Sequence, residues 1–243
     1  MRLLIIRHAE PDYPNNTLTE KGFREAECLA KHIERYHIDE IYCSPMNRAL
    51  FTAEAIERQI HVPITVMDWM REFSYPFYGK PDGQKSVCWD WLPVDWANDP
   101  AYLSTKETME SPAFKESVIP EKYREITGEL DALLKDHGYV REGGLYRAVE
   151  PNRKTIALVC HFGLESVLLS HILNIPPMLL WQGTCAAPTS VTSVYTEERR
   201  EGYAYFRMNQ YGETTHLLLE NEPVSFHARF CETFDSPDEP KDD

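Results

Sequence analysis

The chain begins with an unbroken aliphatic run, Leu3-Leu4-Ile5-Ile6, that ends abruptly at Arg7 and His8. A continuous run of branched aliphatics marks a strand buried on both faces, as in a parallel sheet. Phe23, Ala26, Leu29, Ala30 and Ile33 then recur at helical spacing behind Thr19, a good N-cap, and Glu20. Ile41-Tyr42-Cys43 predicts a second strand. Ser44-Pro45 opens the next helix, with Ser44 as cap and Pro45 at the first helical position, and Ala49, Leu50, Ala53 and Ile56 as its buried face. Residues 63–67 predict a third strand and 155–160 a fourth, nearly all apolar and ending at His161-Phe162-Gly163. A helix follows from about 164 to 173, stopped by Asn174 and Pro176-Pro177. Residues 191–196 and 203–209 read as strands joined by a charged turn at 197–202. This alternation predicts an α/β fold, a three-layer α/β/α sandwich around a mainly parallel sheet.

Residues 73–153 break the pattern. Phe73, Tyr75, Phe77, Tyr78, Trp89, Trp91, Trp96 and Tyr102 crowd into about thirty residues of a chain that is 12% aromatic. A helix is predicted at about 119–137 and a hairpin turn at Glu142-Gly143-Gly144. The stretch reads as an aromatic-rich insertion over the carboxyl edge of the sheet, continuous with one domain spanning 1–234. Its aromatics either give the insertion a core of its own or form a lid or wall facing a substrate. Residues 235–243, acidic and Pro-containing, predict a disordered tail.

A length of 243 residues and 42% hydrophobic content fit one α/β domain with a real core. No apolar stretch approaches the roughly 18 residues of a membrane span. Four aliphatics between Arg2 and Arg7 are too few for the ~7–15-residue apolar region of a signal peptide. Six scattered cysteines without a C-x-x-C pair point to reduced thiols in a cytoplasm and not to a zinc site. A formal net charge of −14 argues against a nucleic-acid partner. It also requires that any anionic substrate be drawn by a local cluster of cations.

Such a cluster lies at the strand ends, where ligands of parallel sheets bind. The first strand delivers Arg7 and His8, the second delivers Ser44-Pro45 with Arg48 one turn into the next helix, and the fourth delivers His161. Asp68 and Glu72 follow the third. Taken singly these are ordinary residues: Arg7-His8 an exposed dipeptide, Arg48 a surface charge, His161 a hydrogen-bonded packing residue. Together, two guanidinium forks around two imidazoles suit a tetrahedral dianion, phosphate. There is no G-x-x-x-x-G-K loop, and the histidines and carboxylates lack metal-site spacing.

Leu-Ile-Ile-Arg7-His8-Ala9-Glu10 resembles the R-H-G-E signature of the histidine phosphatase superfamily, the phosphoglycerate-mutase-like proteins. Leu18-Thr19-Glu20-x-Gly22 followed by Ala26 is similar to its L-T-x-x-G-x-x-Q-A segment. Ser44-Pro45-Met46-x-Arg48-Ala49-x-x-Thr52-Ala53 resembles S-P-L-x-R-A-x-x-T-A. Met70-Arg71-Glu72 resembles the L-x-E that carries the acid, and Val159-Cys160-His161-Phe162-Gly163 the strand bearing the second histidine. The segment from Asn209 to His216 is similar to the closing segment of the family. There are departures: Ala9 and Phe162 replace small residues, Pro14 stands where an Asn is frequent, and neither the G-x-W-E-G nor the E-R-H-Y-G pattern follows the acid.

The resemblance implies a phosphatase acting on a small phosphorylated metabolite, without metal or cofactor. His8 would be the nucleophile and form a phosphohistidine, with Arg7, Arg48 and His161 binding the phosphoryl oxygens. Glu72 would be the proton donor, with Asp68 as the fallback, and Asn15 a further phosphate contact. A phosphoglycerate-type mutase or other phosphotransferase, and a non-catalytic binder of phospho-ligands, are the alternatives.

Overall fold

A computed structural model describes residues 1–80 and 83–227. Strand β1 (Arg2–Arg7) leads through a small β2–β3 hairpin (Pro11–Asp12, Thr17–Leu18) into α1 (Glu20–Ile33), β4 (Glu40–Cys43), α2 (Asn47–Ile60) and β5 (Ile64–Val66). The insertion contributes α3 (Pro93–Trp96), α4 (Thr105–Glu110), α5 (Ile119–Asp136) and the hairpin β6–β7 (Tyr139–Glu142, Leu145–Ala148). The chain returns through β8 (Thr155–Cys160), α6 (Phe162–Leu173), α7 (Pro177–Gly183), β9 (Val191–Arg200), β10 (Tyr203–Glu213) and α8 (Thr215–Leu219).

The strands other than β2 and β3 form a sheet of order β5-β4-β8-β1-β9-β10-β7-β6. Its first four strands are parallel and the rest antiparallel. Strand β8 is buried at every position and lies between β4 and β1. That neighbourhood decides where the site falls: His8 N–H donates to Cys160 O (2.9 Å) and Ser44 N–H to Val159 O (3.0 Å). The ends of three adjacent strands, roughly 4.8 Å apart, therefore meet at one point.

Alternation along the strands builds the three layers. Leu4, Ile6, Ala157 and Val159 pack with Leu29 and Ile33 of α1 and with Ala49, Ala53 and Ile56 of α2. Leu3, Ile5, Leu158 and Cys160 face the other way, into a larger cluster with α5, α6 and α7. Phe73, Phe77, Trp91, Trp96, Tyr102 and Phe114 belong to that same cluster, and the Phe73 ring stacks on Trp181 of α7 at 5.5 Å. Most of the aromatics at 73–102 are thus core, continuous with the sheet.

Several local expectations need correction. Helix α2 starts at Asn47, not at Pro45, and Ser44 is not its cap, because the Ser44 hydroxyl is engaged by His161. Phe23 is 44% exposed although it keeps the helical spacing. The charged stretch at 197–202 is mostly strand, with the reversal confined to Glu201-Gly202. Helix α7 was not anticipated, because Pro176-Pro177 stops α6 and also supplies the first turn of α7. The expectation for residues 235–243 lies outside the described residues. Among the described residues no helix is long and apolar enough to cross a membrane, and the five cysteines within them form no disulfide.

Candidate active site

His8 follows the last residue of β1 and is buried. Its Nδ1 lies 2.7 Å from the Ala9 carbonyl oxygen, which can only accept. Arg48 Nε–H, which can only donate, points at His8 Nε2 from 3.1 Å. The two contacts fix the tautomer: the proton sits on Nδ1, and Nε2 presents its lone pair to a guanidinium. Burial, then the Arg7 and Arg48 cations, hold the His8 pKa well below the ordinary histidine value, so the ring is neutral at pH 7.

The loop after His8 is fixed from three sides. Ala9 N–H donates to Thr52 Oγ1 (3.0 Å), whose hydroxyl donates to Arg48 O (2.8 Å), which ties the loop after His8 to helix α2. Glu10 N–H donates to the buried Glu25 carboxylate (2.9 Å). A Cβ on Gly22 would come within 2.2 Å of Glu10 O, so that contact requires glycine. Thr189, in left-handed backbone at φ 60°, donates its N–H to Arg7 O (3.1 Å) and is held through Oγ1 by His216 Nε2 (3.0 Å). Burial pushes the His216 pKa down to about 4.

His161 sits at the end of β8, with its ring centroid 5.0 Å from that of His8. Its Nε2 is 2.7 Å from Ser44 Oγ, and its buried Nδ1 has no partner among the described residues. Burial, then His8 and the two arginines, push its pKa well down. Arg7 follows Leu3 and Ile5 onto the α6 face of β1; its Nη1 donates to Ala186 O (2.5 Å) and His227 O (3.4 Å). Glu72 accepts N–H bonds from Phe73 (2.7 Å) and from Leu164 (2.9 Å) and Gly163 (3.4 Å) in the first turn of α6. Burial nevertheless raises its pKa, against the lowering by those amides and by Arg48.

Of the residues expected from sequence, Arg7, His8, Arg48, Glu72 and His161 are brought together. Asp68 is not: its side chain is 93% exposed and lies 3.7 Å from Arg71. Asn15 is not either. Its side chain turns back onto Asp12 (2.8 Å) at the surface. Four further residues join the site without having been anticipated. Ser44 orients His161, and Tyr13 lies under the Arg48 guanidinium at 5.4 Å. His227 packs edge-on against Tyr13 (6.4 Å), and Trp89 presses on Gly163. His227 arrives on a segment held against α1 by Glu222 with Lys21 (2.9 Å) and Arg24 (3.0 Å), and by Ser225 with Glu10. A row of cations on α1, Lys21, Arg24 and Lys31, is the one sequence signal that this helix has an acidic partner. Glu165 of α6 is also buried near Arg7; burial pushes its pKa up to about 7, against the lowering by Thr192 and Arg7.

Phosphoserine phosphatase 1 of Hydrogenobacter thermophilus is 21% identical over 213 residues, 82% of this chain and 89% of that protein. Phosphoserine phosphatase from Entamoeba histolytica, solved in complex with 3-phosphoglyceric acid, shares the fold with a TM-score of 0.58 and 18% identity. That match covers 89% of this chain and 98% of the other. A mycobacterial glucosyl-3-phosphoglycerate phosphatase solved with VO3 aligns with a TM-score of 0.56 and 18% identity, over 87% and 98% of the two chains. The family model that matches covers residues 3–209 and thus every strand end that carries a site residue. The chain belongs to the histidine phosphatase superfamily, branch 1.

Proposed function

We propose that this protein is a phosphatase that hydrolyses a small phosphate monoester through a phosphohistidine on His8. The observation that carries the reading is the tautomer of His8, a neutral imidazole whose Nε2 lone pair faces the guanidinium that would hold the phosphoryl group. A bound phosphoryl group replaces Nε2 as the partner of Arg48 Nε. Arg7 and His161 complete the cradle, His161 through the Nδ1 that lacks a protein partner. With the Ser44 hydroxyl donating to His161 Nε2, the imidazole hydrogen is on Nδ1 and available to a phosphoryl oxygen. Each such donor is worth roughly 10²–10³ in rate, and phosphoryl transfer asks little else of a protein.

In the first step the Nε2 lone pair attacks phosphorus and the ester P–O bond breaks toward the leaving oxygen. Glu72, whose pKa burial raises, acts in its carboxylic acid form and gives that oxygen its proton, and the alcohol departs. The Nδ1–H bond to Ala9 O steadies the positive charge that the ring acquires. In the second step the Glu72 carboxylate takes a proton from water, the water oxygen attacks phosphorus, and the P–N bond breaks back to Nε2. Orthophosphate leaves and both groups are restored. The cationic charge comes from Arg7 and Arg48, so turnover is metal-independent.

The test is release of phosphate from an aryl phosphate across pH 4–8, with chelator present, for the natural protein and for His8→Ala. Chelator-resistant turnover that the substitution abolishes supports the reading; turnover that survives it overturns the mechanism.

A further inference from the structure

Two features unusual for this sequence pattern meet beside Glu72. Phe162 follows His161 where a small residue is usual, and Trp89 belongs to the aromatic insertion. Their rings pack edge to face, 6.2 Å apart at 77°. A Cβ on Gly163 would stand 2.1 Å from Trp89 Cζ3 and 2.7 Å from Glu72 Oε1. The indole edge and the carboxyl group therefore both border the Gly163 backbone.

The turn bearing Trp89 is braced. Cys88 is buried and its carbonyl accepts from Gln182 Nε2 (2.7 Å) of α7. Asp90 accepts from Ser86 Oγ (2.9 Å) and Lys80 Nζ (2.6 Å). Trp91, Trp96 and Tyr102 are spent in the core, whereas Trp89 stays half-buried. In the reaction above, Glu72 protonates the leaving oxygen, so whatever that oxygen carries must lie against the neighbours of Glu72. We propose that Trp89, backed by Phe162, is the specificity-determining wall of the leaving-group subsite, and that the preferred substrates are phosphate monoesters of alcohols bearing a flat ring. This rests on Glu72 being the proton donor.

Benzyl and ethyl phosphate release alcohols of similar acidity, so their ratio of kcat/KM reads contact and not leaving-group reactivity. The natural protein is expected to favour the benzyl ester by about tenfold, the scale of one well-placed aromatic contact with its buried area. Trp89→Ala brings the ratio to about one, Trp89→Phe keeps most of it, and Trp96→Phe, in the core of the insertion, leaves it unchanged. A ratio near one in the natural protein overturns the proposal, as does an undiminished ratio in Trp89→Ala. Binding of benzylphosphonate and ethylphosphonate, followed by calorimetry, needs no turnover. A benzyl preference there that Trp89→Ala removes supports the subsite even if neither ester is hydrolysed, an outcome that would sink only the hydrolase reading; equal binding of the two phosphonates overturns the subsite itself.

Discussion

Replacing Gly163 with alanine probes the contact between the insertion and the acid. The new methyl would lie 2.1 Å from Trp89 Cζ3 and 2.8 Å from Cε3, against an optimum of roughly 3.5–4.0 Å. The indole must retreat by about 1.4 Å or more, which disturbs its edge-on packing with Phe162. Overpacking of this kind costs about 1–3 kcal/mol. The same methyl stands 2.7 Å from Glu72 Oε1 and pushes the carboxyl group off the Gly163 and Leu164 amides. A misplacement of about 1 Å at a catalytic group costs roughly 10² in rate. Urea unfolding should show a lower midpoint with unchanged slope, and kcat/KM should fall by about 10². Adding Trp89→Ala removes the first clash and not the second. Stability of the pair should exceed the additive expectation by about 1 kcal/mol or more, while activity stays low. Gly163→Ala with stability within about 0.5 kcal/mol of the natural protein and unaltered turnover would refute the packing described for this corner.

Arg48→Lys keeps a charge but loses the Nε–H that faces His8 Nε2, and kcat should drop roughly 10²–10³-fold; a drop smaller than about threefold in steady-state kinetics would contradict that role. Glu222→Gln weakens the clasp on Lys21 and Arg24 that brings His227 O to Arg7, so KM should rise more than kcat falls, with a weaker salt dependence than the natural protein; equal effects on both constants would count against it. Burial pushes the Glu165 pKa up from the ordinary 4.5 to about 7. Its neutral form is favoured in the fold, so stability is lost as pH rises from about 4.5 through about 7. Glu165→Gln should therefore gain up to about 3 kcal/mol more at pH 8 than at pH 5 in urea midpoints; the same change at both pH values would show that the fold does not raise the Glu165 pKa.

The strand ends were legible because a parallel strand buried on both faces leaves an unbroken aliphatic run, and β1 and β8 both do. Arg7, His8 and His161 stand at fixed offsets from those runs and Arg48 from β4, so their convergence followed once β8 was placed between β1 and β4. The antiparallel half of the sheet was less legible. The charged residues of β9 beyond Thr196 look like a turn, yet they pair with β10 along an exposed face where charge is tolerated. Ser44 was misread because a serine before a proline is a common cap, and only the tertiary contact with His161 competes for its hydroxyl. Tyr13, Trp89 and His227 could not be found from spacing, since each reaches the site from a loop or segment without periodicity. The L-x-E pattern already favoured Glu72 over Asp68, and three dimensions separate the two: one accepts the amides of α6, and the other is in water.

The most direct measurement is the fate of the phosphoryl group within one turnover. Enzyme and substrate mixed rapidly and quenched in alkali, which preserves phosphoramidates, should yield a phosphorylated imidazole in the peptide containing His8, absent from His8→Ala. Turnover with no phosphoryl group on His8 at any quench time, or phosphorylation mapped to another residue, would contradict nucleophilic catalysis by His8.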